Sequence, residues 1–164
     1  MEIILITGPI NSGKSSAMMK LVLQEKAVGF SPTGIIARGV IEDGRKIGFD
    51  VIDLSSDEIK PLARMNWDIL DGFKVGKYIF ARDGFEFASK ALLNYHSDGI
   101  VFLDEAGPLE LDDRGYADCL RQLVDSNISR FYIAMREGCV IELREKFLQG
   151  KSIKILNIED LNKK

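Results

Sequence analysis

Eight consecutive residues near the N-terminus have the types and spacing of a phosphate-binding loop. Gly8, Gly13, Lys14 and Ser15 fit the pattern G-x-x-x-x-G-K-[ST]. Glycine permits the tight turn that aims backbone N–H groups at phosphate oxygens, and the lysine can reach β- and γ-phosphates. The hydroxyl of Ser15 can bind Mg²⁺. The predicted nucleotide-binding residues are Gly8, Pro9, Ile10, Asn11, Ser12, Gly13, Lys14, Ser15 and Ser16. We expect the Lys14 side chain to be open to solvent.

Two adjacent acids could supply the second part of such a site. Asp104 and Glu105 directly follow an apolar run from Ile100 to Leu103. An acid in this place can hold Mg²⁺, usually through water, so Asp104 is predicted to share the metal with Ser15. Glu105 can orient or deprotonate an attacking water. The pair favours a hydrolytic P-loop ATPase over a GTPase of the Ras type, because the guanine-reading sequence N-K-x-D is absent.

An arginine could complete the catalytic set with Lys14 and Glu105. Arg136 follows the strand-like stretch RFYIAM, so it should project from the carboxyl end of a sheet. There it could stabilise the charge that develops on a transferring phosphoryl group, although a solvated loop arginine fits the same pattern. Arg38 and Arg45 are further candidates for this role.

The elements that must position these residues alternate between strand and helix. Continuous apolar runs such as Ile3–Ile6 are typical of strands buried on both faces of a parallel sheet. Helix-like stretches separate these runs, which predicts an α/β fold with a mostly parallel sheet. The length of 164 residues suits one domain, residues 1–164.

One segment departs from this alternation. Asp43-Gly44 predicts a β-hairpin turn, and pairing outward from it places Glu42 opposite Arg45, Val40 opposite Ile47 and Ile36 opposite Val51. Residues 55–74 have no clear pattern. Farther along, the stretch DRGYADCLRQLVD is predicted to be a helix capped by Asp112 or Asp113.

Composition narrows the classes of function. The formal net charge of −3 argues against a nucleic-acid binder that relies on bulk positive charge. Cys119 and Cys139 form no C-x-x-C pair, so a zinc site is not expected. Both are expected to be buried, reduced thiols. His96, the single histidine, lies at a predicted surface turn. No apolar run approaches about 18 residues and no signal peptide is evident. We therefore expect a cytoplasmic protein without a membrane partner, and a monomer because no large apolar surface helix is evident.

Four stretches together resemble the small thermophile-type nucleoside triphosphatases, also called the cancer-related nucleoside-triphosphatase family. They are ITGPINSGKSS, GRKIGFDVIDL, VGKYIF and VFLDEAGPLEL, in the family's order. The resemblance implies a three-layer RecA-like domain with an inserted hairpin and Mg²⁺-dependent hydrolysis of nucleoside triphosphates with broad base tolerance. The chain departs from the family pattern at Ala37-Arg38-Gly39, where two acids are usual, and at Ala134-Met135-Arg136, which lacks a histidine.

Two other functions use the same loop and remain alternatives. A nucleotide or nucleoside kinase needs a pocket for a second substrate and usually a lid that carries arginine, and the hairpin could serve as that lid. A non-enzymatic adaptor would bind nucleotide tightly without turnover. The leading hypothesis is a Mg²⁺-dependent nucleoside triphosphatase acting on ATP, GTP and related nucleotides.

Overall fold

The computed structural model describes residues 1–161. Within them, the strands are β1 (Glu2–Gly8), β2 (Thr33–Glu42), β3 (Arg45–Asp53), β4 (Ile59–Arg64), β5 (Gly72–Val75), β6 (Tyr78–Ala81), β7 (Ile100–Ala106), β8 (Arg130–Arg136) and β9 (Ile153–Asn157). These nine strands form one sheet in the order β5-β6-β4-β3-β2-β7-β8-β1-β9. The helices are α1 (Lys14–Ala27), α2 (Arg82–Leu93), α3 (Pro108–Leu111), α4 (Ala117–Val124), α5 (Val140–Phe147) and α6 (Ile158–Leu161).

One half of the sheet is parallel and covered on both faces. Strands β2, β7, β8, β1 and β9 pair in parallel. In β1, Ile3 and Leu5 join the core cluster that includes residues of α2, α4 and α5, while Ile4 and Ile6 join the cluster that includes residues of α1. This burial of both faces explains why the strand is apolar at consecutive positions. The α/β fold predicted from the sequence is confirmed.

The other half of the sheet is antiparallel and larger than the predicted hairpin. Strands β3, β4, β6 and β5 extend the sheet outward from β2 through antiparallel pairs. The whole sheet is therefore mixed and not mostly parallel as predicted. The segment without a clear pattern supplies β4 and most of β5. Both are short and only partly buried, so they lack the strong apolar period that identifies a strand in a sequence.

A β-bulge changes the register of the predicted hairpin. Glu42 lies opposite Arg45 as expected, but the register shifts between Val40 and Ile41. Val40 therefore pairs with Gly48 instead of Ile47, and the predicted pairing of Ile36 with Val51 is also wrong. A shift by one residue exchanges the faces of a strand, and Ile36 and Val51 accordingly belong to different core clusters.

The helix predicted after the two acids begins later than expected. Helix α4 begins at Ala117 and has no side-chain cap, so a cap by Asp112 or Asp113 is wrong. Asp113 forms ion pairs with Arg121 and Lys146 instead. The preceding chain is held by Glu110, whose buried carboxylate accepts hydrogen bonds from the N–H groups of Gly107 and Tyr116 at 2.7 and 2.9 Å. This carboxylate fixes the segment that directly follows Asp104 and Glu105.

Cys119 and Cys139 are buried and unpaired, as expected. Within residues 1–161, we find no helix that combines the length and the apolar character needed to cross a membrane.

Candidate active site

The glycine-rich loop connects the carboxyl end of β1 to the first turn of α1. Gly13 has a φ of 90° and directly precedes α1, so a residue with a side chain would be strained there. At Gly8 a Cβ atom would clash with Cγ2 of Ile158, which excludes a larger residue. The Ser12 hydroxyl is buried and has no hydrogen-bond partner among the described residues. The loop thus brings an unsatisfied polar group and a helix N-terminus to one place.

The remaining predicted loop residues differ in exposure. Pro9, Ile10, Asn11 and Ser16 are exposed, whereas Ser15 is half-buried. Asn11 has a φ of 58°, a left-handed conformation that asparagine tolerates better than most residues. The loop therefore presents its backbone and its short polar side chains near the start of α1.

Lys14 is folded into the loop, so the expectation that its side chain is open to solvent is wrong. Only 7% of the residue is exposed. Its Nζ donates hydrogen bonds to the carbonyl oxygens of Gly8 at 3.0 Å and Pro9 at 2.6 Å. Burial lowers the pKa of Lys14, while the carboxylates of Glu105 and Asp104 act in the opposite direction. The ammonium group therefore already occupies the interior of the loop.

Asp104 connects the loop to the end of β7. The residue is 2% exposed. Its carboxylate accepts a hydrogen bond from the Ala37 N–H at 3.0 Å, and the Ser15 hydroxyl lies close enough to lower its pKa. Burial nevertheless raises the pKa of Asp104 to about 7, although Ala37 and Ser15 favour the charged form. The two predicted metal ligands, Ser15 and Asp104, are therefore neighbours.

Glu105 lies in a bulge at the end of β7. The register with β8 shifts between Leu103 and Ala106, and Glu105 has a φ of 73°. A bulge places an extra residue in the strand and redirects its side chains. It allows two consecutive acids to serve one site, whereas regular strand residues point to opposite faces. One carboxylate oxygen of Glu105 lies 3.8 Å from Nη2 of Arg136.

Of the three candidate arginines, Arg136 is the one that the structure brings to the acids. Its Nε is buried without a hydrogen-bond partner among the described residues. Arg38 is exposed and pairs with Asp50 at 3.2 Å. Arg45 is exposed at the end of the hairpin, opposite Glu42.

His96, the single histidine, is exposed in the loop between α2 and β7.

Lys46 is a site residue that the sequence did not indicate. Its Nζ donates a hydrogen bond to the Asn11 side-chain oxygen at 3.3 Å and lies 4.0 Å from the centre of the Phe49 ring. Among the described residues it forms no ion pair with a carboxylate. Its charge also contributes to the lowered pKa of Lys14, so two cations are close to the loop. The bulge in the hairpin decides this position, and no sequence signal marks it.

An apolar cavity adjoins the two acids. It has a volume of about 170 Å³, and Asp104, Glu105 and Arg136 lie on its wall together with several aromatic residues. The aromatic residues come from the antiparallel half of the sheet and from the helices that pack on it. Sequence reasoning did not locate this cavity, because its residues are scattered from Ala37 to Arg136 along the chain.

Comparison with known proteins shows relatives along nearly the whole chain. The nucleoside-triphosphatase THEP1 of Methanopyrus kandleri is 30% identical over 149 residues, which cover 87% of this chain and 80% of that protein. The human cancer-related nucleoside-triphosphatase is 29% identical over 171 residues, which cover 98% of this chain and 90% of that protein.

Two solved structures share the fold. The solution structure of a human cancer-related nucleoside triphosphatase has a TM-score of 0.76 at 24% identity, with 99% of this chain and 96% of that chain covered. The crystal structure of THEP1 from Aquifex aeolicus has a TM-score of 0.70 at 22% identity, with 98% and 96% covered. The sequence model of the NTPase family matches residues 3–164. The family suggested by the loop, the hairpin strand and the acidic segment is confirmed, and the chain belongs to the NTPase family.

Proposed function

We propose that this protein is a Mg²⁺-dependent nucleoside triphosphatase that releases the γ-phosphate of ATP, GTP and related nucleotides with broad base tolerance. One observation carries the proposal: Ser15 of the loop lies beside Asp104, and the adjacent Glu105 lies beside Arg136. Groups suited to binding phosphate, binding metal and activating water are therefore together. The names of the relatives support the reaction class.

The loop supplies the contacts to the phosphates. Backbone N–H groups at the start of α1 lack partners within the helix and attract anions. The free Ser12 hydroxyl adds a hydrogen-bond donor. Lys14 would exchange its two carbonyl partners for phosphate oxygens, and Lys46 would approach them from the hairpin. A triphosphate would thus become the counter-ion of two lysines that are close to each other.

The residues around Ser15 and Asp104 fit a bound Mg²⁺ ion. Both ligands are oxygen donors, as this ion prefers, and Mg²⁺ commonly uses only one or two protein ligands together with substrate phosphates and water. Within residues 1–161, no group of three acidic, histidine or cysteine side chains forms a complete metal site. When bound, Mg²⁺ would neutralise charge on the β- and γ-phosphate oxygens.

Glu105 and Arg136 would act on the reacting groups. The Glu105 carboxylate would orient the attacking water and accept its proton. The water oxygen bonds to the γ-phosphorus, the bond between that phosphorus and the bridging oxygen breaks, and the diphosphate leaves. Arg136 would stabilise the charge on the transferring group, because its guanidinium is near Glu105 and its Nε has a hydrogen bond to donate.

Broad base tolerance follows from the chemistry of the assembled groups. The loop N–H groups, the two lysines, Ser15 and Asp104 are all assigned to phosphates or to the metal. Contacts of this kind are the same for every nucleoside triphosphate, so the base should have little effect on the rate.

The test is a phosphate-release assay with ATP, GTP, CTP and UTP, each with Mg²⁺ and with EDTA. We expect Mg²⁺-dependent release from all four nucleotides without any acceptor molecule. Tight nucleotide binding without release would instead favour the adaptor function. In the same assay, Asp104→Ala should require much more Mg²⁺, because Ser15 remains the sole protein ligand. A Mg²⁺ titration identical to that of the unsubstituted protein would remove Asp104 from the metal site.

A further inference from the structure

The cavity beside the acids has apolar walls that phosphate hydrolysis does not require. One end is formed by Asp104, Glu105 and Arg136. The other walls include Phe49, Leu62, Tyr78, Phe80, Phe85 and Leu109. These six residues lie on β3, β4, β6, α2 and α3, outside the loop that is proposed to bind phosphate.

The cavity is large enough for a small ring. Its volume is about 170 Å³, and it is partly open to solvent. The aromatic rings of the wall pack against one another. Phe49 and Tyr78 make an edge-to-face contact with ring centroids 5.2 Å apart, and the ring centroids of Phe80 and Phe85 are 5.6 Å apart. An apolar cavity of about 150 Å³ can hold benzene. The size and lining therefore fit a single ring.

The acids separate the cavity from the phosphate-binding loop. Asp104 lies beside Ser15 of the loop and also lines the cavity. In phosphoryl transfer the attacking and leaving oxygens are roughly in line with the phosphorus. A nucleotide held by the loop would have its leaving diphosphate on the loop side. The attacking oxygen must then approach from the opposite side, and Glu105, the proposed acceptor of its proton, lines the cavity.

We propose that the cavity binds a neutral single-ring alcohol and that the protein transfers the γ-phosphoryl group to the hydroxyl of this ligand. This activity rests on the proposed function, because it uses the same nucleotide site. The hydroxyl oxygen bonds to the γ-phosphorus, and the bond from that phosphorus to the bridging oxygen breaks. The diphosphate leaves with the electron pair, and the hydroxyl proton passes to Glu105.

The charge of the cavity wall indicates a neutral acceptor. Arg136 is the one basic residue on the described wall, and it lies beside Glu105. A phosphate-bearing acceptor would bring two or more charges next to Asp104 and Glu105 without further cations to balance them. An uncharged ring with one hydroxyl needs only the apolar walls and a carboxylate that accepts its hydrogen bond.

The experiment measures benzyl phosphate and inorganic phosphate by ³¹P NMR after incubation of the protein with ATP, Mg²⁺ and benzyl alcohol. Methanol at the same concentration is the control for an alcohol that does not fill the cavity. A well-oriented acceptor has an effective concentration on the order of 10⁵ M or more. Benzyl phosphate should therefore be the main product at saturation, and methyl phosphate at most a trace. Toluene, which has the ring without the hydroxyl, should suppress benzyl phosphate formation competitively.

Two substitutions, one in β5 and one in β6, test whether the product forms in the cavity. Val75 lies on the wall, so Val75→Phe should lower the ratio of benzyl phosphate to inorganic phosphate by about tenfold or more, the discrimination that one or two methylene groups give in an apolar pocket. Ile79→Phe adds the same ring outside the wall and should leave the ratio as it was. Circular dichroism of both variants checks their folding, and the toluene competition requires no variant.

The outcomes separate this inference from the hydrolytic function. Benzyl phosphate at no more than the methyl phosphate level, or formed regardless of toluene, overturns the acceptor site even if phosphate release is normal. Benzyl phosphate without phosphate release in the absence of alcohol would overturn the hydrolytic function and support the acceptor site.

Discussion

Glu105 combines a proposed catalytic carboxylate with an unfavourable backbone conformation, so two substitutions can separate these properties. Glu105→Gln keeps the Cβ atom and the side-chain length but cannot accept a proton as a carboxylate does. Glu105→Gly also removes the Cβ atom, which a φ of 73° disfavours. Both substitutions remove the charge beside Arg136, so the loss of that charge does not contribute to the difference between them.

The expected magnitudes differ for activity and stability. General-base catalysis contributes about 10²–10⁴-fold, so kcat should fall by that factor in both variants. A left-handed residue with a side chain costs roughly 1–2 kcal/mol, and glycine loses about 0.5–1 kcal/mol through its freedom in the unfolded chain. Glu105→Gly should therefore be more stable than Glu105→Gln by about 0.5–1 kcal/mol. For a domain of this size, that corresponds to a Tm higher by about 1–4 °C.

Phosphate release under single-turnover conditions and calorimetry in EDTA measure the two effects. Nucleotide affinity of Glu105→Gln should stay close to that of the unsubstituted protein, because Glu105 is assigned to the water and not to the phosphates. Normal turnover of Glu105→Gln would refute the assignment of the general base. If Glu105→Gly melts at or below the temperature of Glu105→Gln, the bulge does not carry the strain inferred from its φ.

Three further predictions concern the charged groups around the loop. Lys14→Ala should reduce phosphate release about 10²-fold or more, because a buried positive charge is lost from the reacting phosphates; unchanged release would disprove the loop assignment. Lys46→Gln should raise KM for ATP about tenfold, as expected for the loss of one hydrogen bond to a charged group. Arg45→Gln, at the exposed end of the hairpin, is the control and should leave KM unchanged. Equal increases in KM would indicate a general effect of charge. Burial raises the pKa of Asp104 to about 7 in the metal-free protein. The stability that the protonated side chain contributes to the fold is therefore fully present below the unfolded pKa of about 4, and it is lost as pH rises through 7. Asp104→Asn should remove this decline, and urea unfolding in EDTA between pH 5 and 8 would contradict the reasoning if both proteins lost stability equally.

Contiguous stretches of sequence were enough to predict the parallel half of the fold and most members of the candidate site. The loop from Gly8 to Ser16 follows a continuously apolar strand, and Asp104 and Glu105 follow another. Because parallel strands end at the same edge of a sheet, two such stretches predict that loop and acids meet there. Arg136 follows from the same rule, since it lies at the end of β8, next to β1.

Features that depend on several distant segments could not be predicted in this way. The hairpin turn at Asp43-Gly44 is local, but the bulge between Val40 and Ile41 is not marked in the sequence. That bulge decides which basic residue of the hairpin reaches the loop, namely Lys46 and not Arg38 or Arg45. A shift of one residue reverses the faces of a strand, so an error of that size is sufficient to select the wrong side chain.

The sequence by itself determined the residue types of the site and the strand ends that carry them. Only the tertiary structure decided that Lys14 is buried against the Gly8 and Pro9 carbonyls, that Glu105 adopts a left-handed conformation, and that an apolar cavity lies behind the acids. Strand ends and glycine turns are set by interactions between neighbouring residues. Burial, bulges and cavities arise from packing between β-strands and helices far apart in the chain, where no single stretch contains the information.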